Sequence, residues 1–126
     1  MPTKRANGVG RIIVEFEVAN YGDLILAQYG TLPPDQVRRE TIQGLVDPRV
    51  MKLVLPQSVV KRLGLPMGDP ILVHYADGRR VQRRVADGVF LKLLGRDDTF
   101  TAIIEPRRRY ALIGRIVLQE IGRAHV

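Results

Sequence analysis

Hydrophobic and polar positions alternate with a period of two along most of the chain, the pattern of half-buried strands. Over residues 11–19, Ile12, Val14, Phe16 and Val18 fall on one face, Glu15 and Glu17 on the other. Asn20-Tyr21-Gly22-Asp23 reads as a turn, and Leu24–Ala27 as a short apolar strand. Residues 29–36 form a loop marked by Gly30, Pro33 and Pro34. A third strand runs over residues 40–47 and ends at Asp47; the chain resumes as a strand over residues 52–56.

One segment follows the helical period instead. In residues 56–64, Pro56 suits a first turn, Val59, Val60 and Leu63 share a face, and Gly64 suits the stop. Residues 65–70 then read as a loop. Residues 71–75 and 79–85 flank Ala76-Asp77-Gly78, and Asp-Gly between such runs is a strong hairpin signal. Residues 89–95 and 100–106 flank a second turn at Arg96-Asp97-Asp98-Thr99. Arg107–Arg109 lead to another apolar strand, Tyr110–Gly114, and residues 114–122 read as a short helix ending at Gly122. The pattern predicts a mainly β, closed or sandwich-like domain of about eight short strands with one or two short helices. Its expected core is Val14, Phe16, Val18, Leu45, Leu53, Leu55, Val60, Leu63, Leu91, Ile103, Leu112 and Ile113.

At 126 residues the chain accommodates one core of ordinary size. We expect a flexible N-terminus over residues 1–10, a single domain over 11–122 and a tail over 123–126. No apolar run nears the ~20 residues of a membrane helix, and the stretch Ala111–Leu118 is interrupted by Arg115. The basic start has no apolar stretch after it, so no secretory signal is evident and a cytoplasmic location is the default expectation.

Charge modifies the picture less than its size suggests. Sixteen arginines and four lysines give a net +7, compatible with nucleic acid, with an acidic partner or simply with a solvated basic surface. Along the sequence, however, the arginines occur as dispersed short groups, with four tyrosines and three phenylalanines available for base stacking. That argues against nucleic acid as the partner. The chain has no cysteine, and its two histidines, His74 and His125, have no ligand spacing, so no metal site is expected. Ser58, the only serine, suits a capping role rather than a nucleophile. Gly8-Val9-Gly10 lacks the third glycine and the preceding strand of a dinucleotide loop, and no cofactor is expected.

The specific segment is Leu45-Val46-Asp47 followed by Leu53-Val54-Leu55-Pro56. With the hairpin at Ala76-Asp77-Gly78-Arg79 and the later Leu112-Ile113-Gly114, it resembles the retropepsin-like aspartic proteases, especially small stand-alone bacterial members, over about residues 10–122. The resemblance implies a closed acid-protease half-barrel, a homodimer and a peptide or protein substrate. In that family each subunit contributes one aspartate, here Asp47. The resulting dyad holds one proton between two carboxylates and activates a water. The hairpin Ala76–Arg79 corresponds to the flap.

Where the family has Thr-Gly-Ala after the aspartate, this chain has Pro48-Arg49-Val50. Pro48 lacks a hydroxyl and a backbone N–H, Arg49 carries a Cβ where glycine gives free φ, and its cation stands beside Asp47. The expectation is an impaired endopeptidase. Family members continue past the final helix into another strand, whereas this sequence ends in Gly122-Arg123-Ala124-His125-Val126.

A rival reading comes from residues 52–81. Pro56, Leu63-Gly64-Leu65, Gly68-Asp69 and Asp77-Gly78-Arg79 resemble the swapped-hairpin DNA-binding regulators and antitoxins, in which two chains interleave hairpins and arginines contact phosphates. A non-catalytic interaction module is the third option.

Overall fold

The computed structural model describes residues 3–5 and 12–123. Its elements, in chain order, are β1 (Thr3–Arg5), β2 (Ile12–Asn20), α1 (Tyr21–Gln28), a 3-10 turn (Pro34–Gln36), β3 (Arg39–Val46), β4 (Leu53–Pro56) and α2 (Gln57–Leu63). These are followed by β5 (Met67–His74), β6 (Arg80–Leu93), β7 (Arg96–Glu105), β8 (Ala111–Ile113) and α3 (Arg115–Arg123).

The strands β2-β3-β8-β4-β7-β6 follow one another in the sheet, and β6 pairs back onto β2, closing a six-stranded barrel. Closure depends on one long strand. The first half of β6 pairs with β5, and the second half, Val89–Lys92, pairs with Ala19, Asn20 and their neighbours on β2. The exchange of partners falls at an irregularity between Ala86 and Val89, where Gly88 has φ +66°. An extra residue at such a bulge bends the strand, so β5 and the start of β6 leave the barrel wall as a projecting hairpin.

Alternation sets which side chains fill the barrel. Val14, Phe16 and Val18 point inward, with Leu53 and Leu55, Ala102 and Ile104, and Ala111 and Ile113 from the facing strands. Val60 and Leu63 of α2 and Val117 and Ile121 of α3 cover the same core. Ten of the twelve expected core residues are buried; Leu45 and Leu112 are half-buried. Their neighbours Gly44, Ala111 and Ile113 take the inward positions, so the period of two turns Leu45 and Leu112 to the outer face.

Other expectations need correction. Residues 21–28 are a helix, not a turn and strand, which raises the number of α-helices among the described residues to three. Asn20 is its N-cap, and its Oδ1 accepts from the Asp23 amide at 3.0 Å; this satisfies an amide that otherwise has no helical partner. The second hairpin turns at Leu94-Gly95, both at positive φ (53° and 78°), while Arg96–Thr99 continue β7 opposite Leu93–Phe90. Residues 79–85 and 89–95, expected as two strands, belong almost entirely to the single strand β6, and β5 begins at Met67. Ser58 makes no cap; Pro56 holds the N-cap position of α2, while Gly64 closes that helix at φ +61° as expected. Thr3–Arg5 pair with β2, whereas Gly8-Val9-Gly10 and residues 124–126 of the expected tail lie outside the described residues.

A candidate peptide cleft around Asp47

Strand β8 lies between β3 and β4, parallel to the first and antiparallel to the second. The chain leaves β3 at Asp47, loops through residues 48–52 and returns on β4, so this loop crosses the end of β8. Backbone bonds hold it there. The Asp47 amide donates to the Ile113 carbonyl at 3.0 Å and the Val50 amide to the Asp47 carbonyl at 3.1 Å. The Arg115 and Ile116 amides, opening α3, donate to the Val50 and Met51 carbonyls at 2.8 and 2.9 Å. These helix-terminal donors would otherwise lack partners. Gly114 lies under the loop with no space for a Cβ, which would fall on the Lys52 carbonyl and within 2.7 Å of the Val50 carbonyl.

Above this loop stands the β5–β6 hairpin, and between them is a cleft of about 550 Å³. Its floor is a cross-strand row on the outer barrel face, Leu112, Val54 and Ile103. Ile71, Val73, His74, Tyr75 and Ala76 of the hairpin line the opposite side, and Asp47, Arg49, Lys52, Glu105 and Arg108 supply the charge. The cleft is thus apolar at its base with charged groups at its margins.

Of the residues singled out in the sequence, the structure brings Asp47, Arg49 and Val50 together with Ala76 in this cleft. Pro48 is exposed in the loop, and Asp77, Gly78 and Arg79 form the hairpin tip. Arg49 grips Asp47 closely. Its amide and Nε both donate to Oδ1 at 3.0 Å, and Nη2 donates to Oδ2 at 3.2 Å. This hydrogen bonding raises the guanidinium pKa further above its ordinary value. The grip is open to solvent, because the Arg49 side chain is 80% exposed against 20% for Asp47. Screening therefore limits its strength, although both carboxylate oxygens are occupied.

At the tip, the Tyr75 amide donates to the Arg79 carbonyl at 2.9 Å, and Gly78 takes φ +90°. Asp77 accepts from the Arg79 amide and Nε, which hold its carboxyl below the ordinary range, the backbone bond foremost. Tyr75 anchors the hairpin to the barrel. Its hydroxyl donates to Glu105 Oε2 and accepts from Arg83 Nε at 3.0 Å. Burial, then the Glu105 bond, raises the phenol above its usual pKa. Glu105, the second carboxylate lining the cleft, is thereby engaged by Tyr75 and by Arg83 at 3.4 Å.

Neither Tyr75 nor Glu105 stood out in the sequence; the proximity of Tyr75 to the Asp-Gly turn was the available signal. His74 lines the cleft from an exposed position on β5. Among the described residues no cluster of His, Asp and Glu could hold a metal ion. No helix of the described residues is long and apolar enough to cross a membrane. No protein-family model matches the chain, and no curated protein is detectably similar to it.

Proposed function

We propose that the chain is a retropepsin-like aspartic endopeptidase domain with impaired catalysis, which receives an extended peptide between the Asp47 loop and the β5–β6 hairpin. The observation that carries this reading is the position of Asp47. It sits at a strand end, in a loop fastened to Gly114–Ile116, facing a projecting hairpin across an apolar cleft. Strand β5 ends the sheet order, so its outer edge offers backbone groups to an added peptide strand.

Hydrolysis would need a second aspartate from a second copy of the chain. One carboxylate then takes a proton from water as its oxygen bonds to the peptide carbonyl carbon, while the other, protonated, donates to the carbonyl oxygen. The tetrahedral intermediate collapses with cleavage of the C–N bond, and the leaving nitrogen takes up a proton. The Arg49 fork opposes the first step by occupying the oxygens that water and the partner carboxyl would need. On this reading the cleft binds peptides more readily than it cleaves them.

The swapped-hairpin reading has less support. The strands of residues 52–81, which carry that resemblance, find their partners within one chain: β4 pairs with β7 and β8, and β5 with β6.

The test is a peptide-library assay between mildly acid and neutral pH on the protein and on the combined Pro48→Thr, Arg49→Gly, Val50→Ala variant. Cleavage is expected from the variant and not from the parent, and Asp47→Asn in the variant should abolish it. Cleavage by the parent that Asp47→Asn stops would overturn the impairment. A dimeric restored variant that remains inert would overturn the assignment of Asp47.

A further inference from the structure

The arginines dispersed along the sequence do not stay dispersed in space. Arg79 and Arg83, from the β5–β6 hairpin, and Arg107, Arg108 and Arg109, from the link between β7 and β8, line one groove of about 750 Å³ with Glu105 and Pro106. The groove lining thus holds five arginines and one carboxylate, Glu105, with Asp77 bound to Arg79 at the hairpin tip. The Glu105 charge is already shared with Arg83 and Tyr75. Among the described residues no carboxylate pairs with Arg107, Arg108 or Arg109. A concave surface with such an excess of one sign concentrates ligands of the opposite sign.

The groove also has a direction. Glu105 and Arg108 line both it and the cleft beneath the hairpin, so the two spaces adjoin. We infer that the groove binds the acidic segment of a peptide whose apolar segment occupies the cleft. This rests on the peptide-binding reading above and adds a preference to it: aliphatic residues over Leu112, Val54 and Ile103, then aspartates or glutamates over the arginines. A peptide alternates such segments easily, whereas nucleic acid would place phosphates throughout, including over the apolar floor. Tyr75, bonded to Arg83 and Glu105 of the groove, is covered by the Arg79 guanidinium at 4.7 Å from its centroid and offers no open stacking platform.

Fluorescence anisotropy tests this with four labelled probes: a short aliphatic peptide with a glutamate tail, the same peptide with a glutamine tail or a lysine tail, and polyglutamate alone. The glutamate tail should improve affinity about tenfold over glutamine at low salt and lose most of that advantage near physiological salt, where the screening length is roughly 8 Å. The combined Arg107→Gln, Arg109→Gln variant, which leaves the cleft-lining Arg108 in place, should remove most of the preference while keeping the glutamine-tailed peptide bound. Arg79→Gln, at the exposed hairpin tip, gives a second variant should the first melt early. Equal affinity for all three tails would overturn the inference and leave the cleft reading standing. Polyglutamate bound in an arginine-dependent way, with no binding of the glutamine-tailed peptide, would support the groove and sink the cleft reading. Failure of all four probes would overturn both. Duplex DNA bound more tightly than the glutamate-tailed peptide, through the same arginines, would replace the peptide with nucleic acid.

Discussion

Gly114 packs its backbone directly against that of Lys52. A Cβ at position 114 would land on the Lys52 carbonyl oxygen and lie 2.8 Å from the Lys52 nitrogen. Both neighbours are backbone, and the Val50 and Met51 carbonyls on the same loop accept from the start of α3. The loop therefore cannot give way without losing those bonds. Gly114→Ala is expected to destabilise the fold by about 2–3 kcal/mol. Urea unfolding of the variant measures this; a change within a few tenths of a kcal/mol would mean that the loop after Asp47 is not held as described.

Asp23 and Arg38 provide a pH-dependent contribution. Asp23 is buried and accepts from the Arg38 amide at 3.0 Å, from Nε at 2.8 Å and from Nη2 at 3.0 Å. The side-chain bond to Arg38 is the main cause holding the Asp23 carboxyl below its ordinary value, against the opposing effect of burial. Because the folded pKa is depressed, this stability is fully present above the ordinary carboxylate pKa of about 4 and is lost as pH falls through the lower folded value. Asp23→Asn should cost about 1–3 kcal/mol at neutral pH. The gap between parent and variant should close under strong acid, and a gap that does not change with pH would contradict this.

Tyr75 fastens the hairpin to β7, so Tyr75→Phe should loosen the hairpin without unfolding the barrel. Amide exchange over residues 71–80 is expected to accelerate by an amount corresponding to about 1 kcal/mol of lost local stability. Exchange in β2 and β4 should remain as it was. Since the folded phenol pKa is raised, the tether is complete below the ordinary tyrosine pKa of about 10 and fades as pH rises through the higher folded value.

Leu94 offers a stabilising change. It is 59% exposed and takes φ +53° ahead of Gly95, a two-residue turn for which Asn-Gly is favoured. Leu94→Asn should raise stability by about 0.5–1 kcal/mol. A fall in melting temperature would show that the leucine makes a contact that offsets its backbone strain.

Local chemistry determined much of this protein in the sequence itself. The alternation of Val14, Phe16 and Val18 requires a strand with one buried face, Gly64 ends α2 because it adopts positive φ readily, and Asp77-Gly78 turns a hairpin wherever it sits. Each of these depends on neighbours a few residues away. Tertiary structure decided the rest, because the partners are distant in the chain. Residues 21–28 have an apolar run that suits a strand, yet Asn20 caps them as a helix while its Nδ2 donates to the Leu63 carbonyl at 2.9 Å. Leu45 and Leu112 look like core residues until Gly44, Ala111 and Ile113 take the inward phase of their strands. The Arg49 fork on Asp47 was foreseeable from their adjacency. The meeting of Arg79 and Arg83 with Arg107–Arg109 was not, because it needs the bend in β6 and the course of β7 to bring two separate basic stretches to the same end of the barrel.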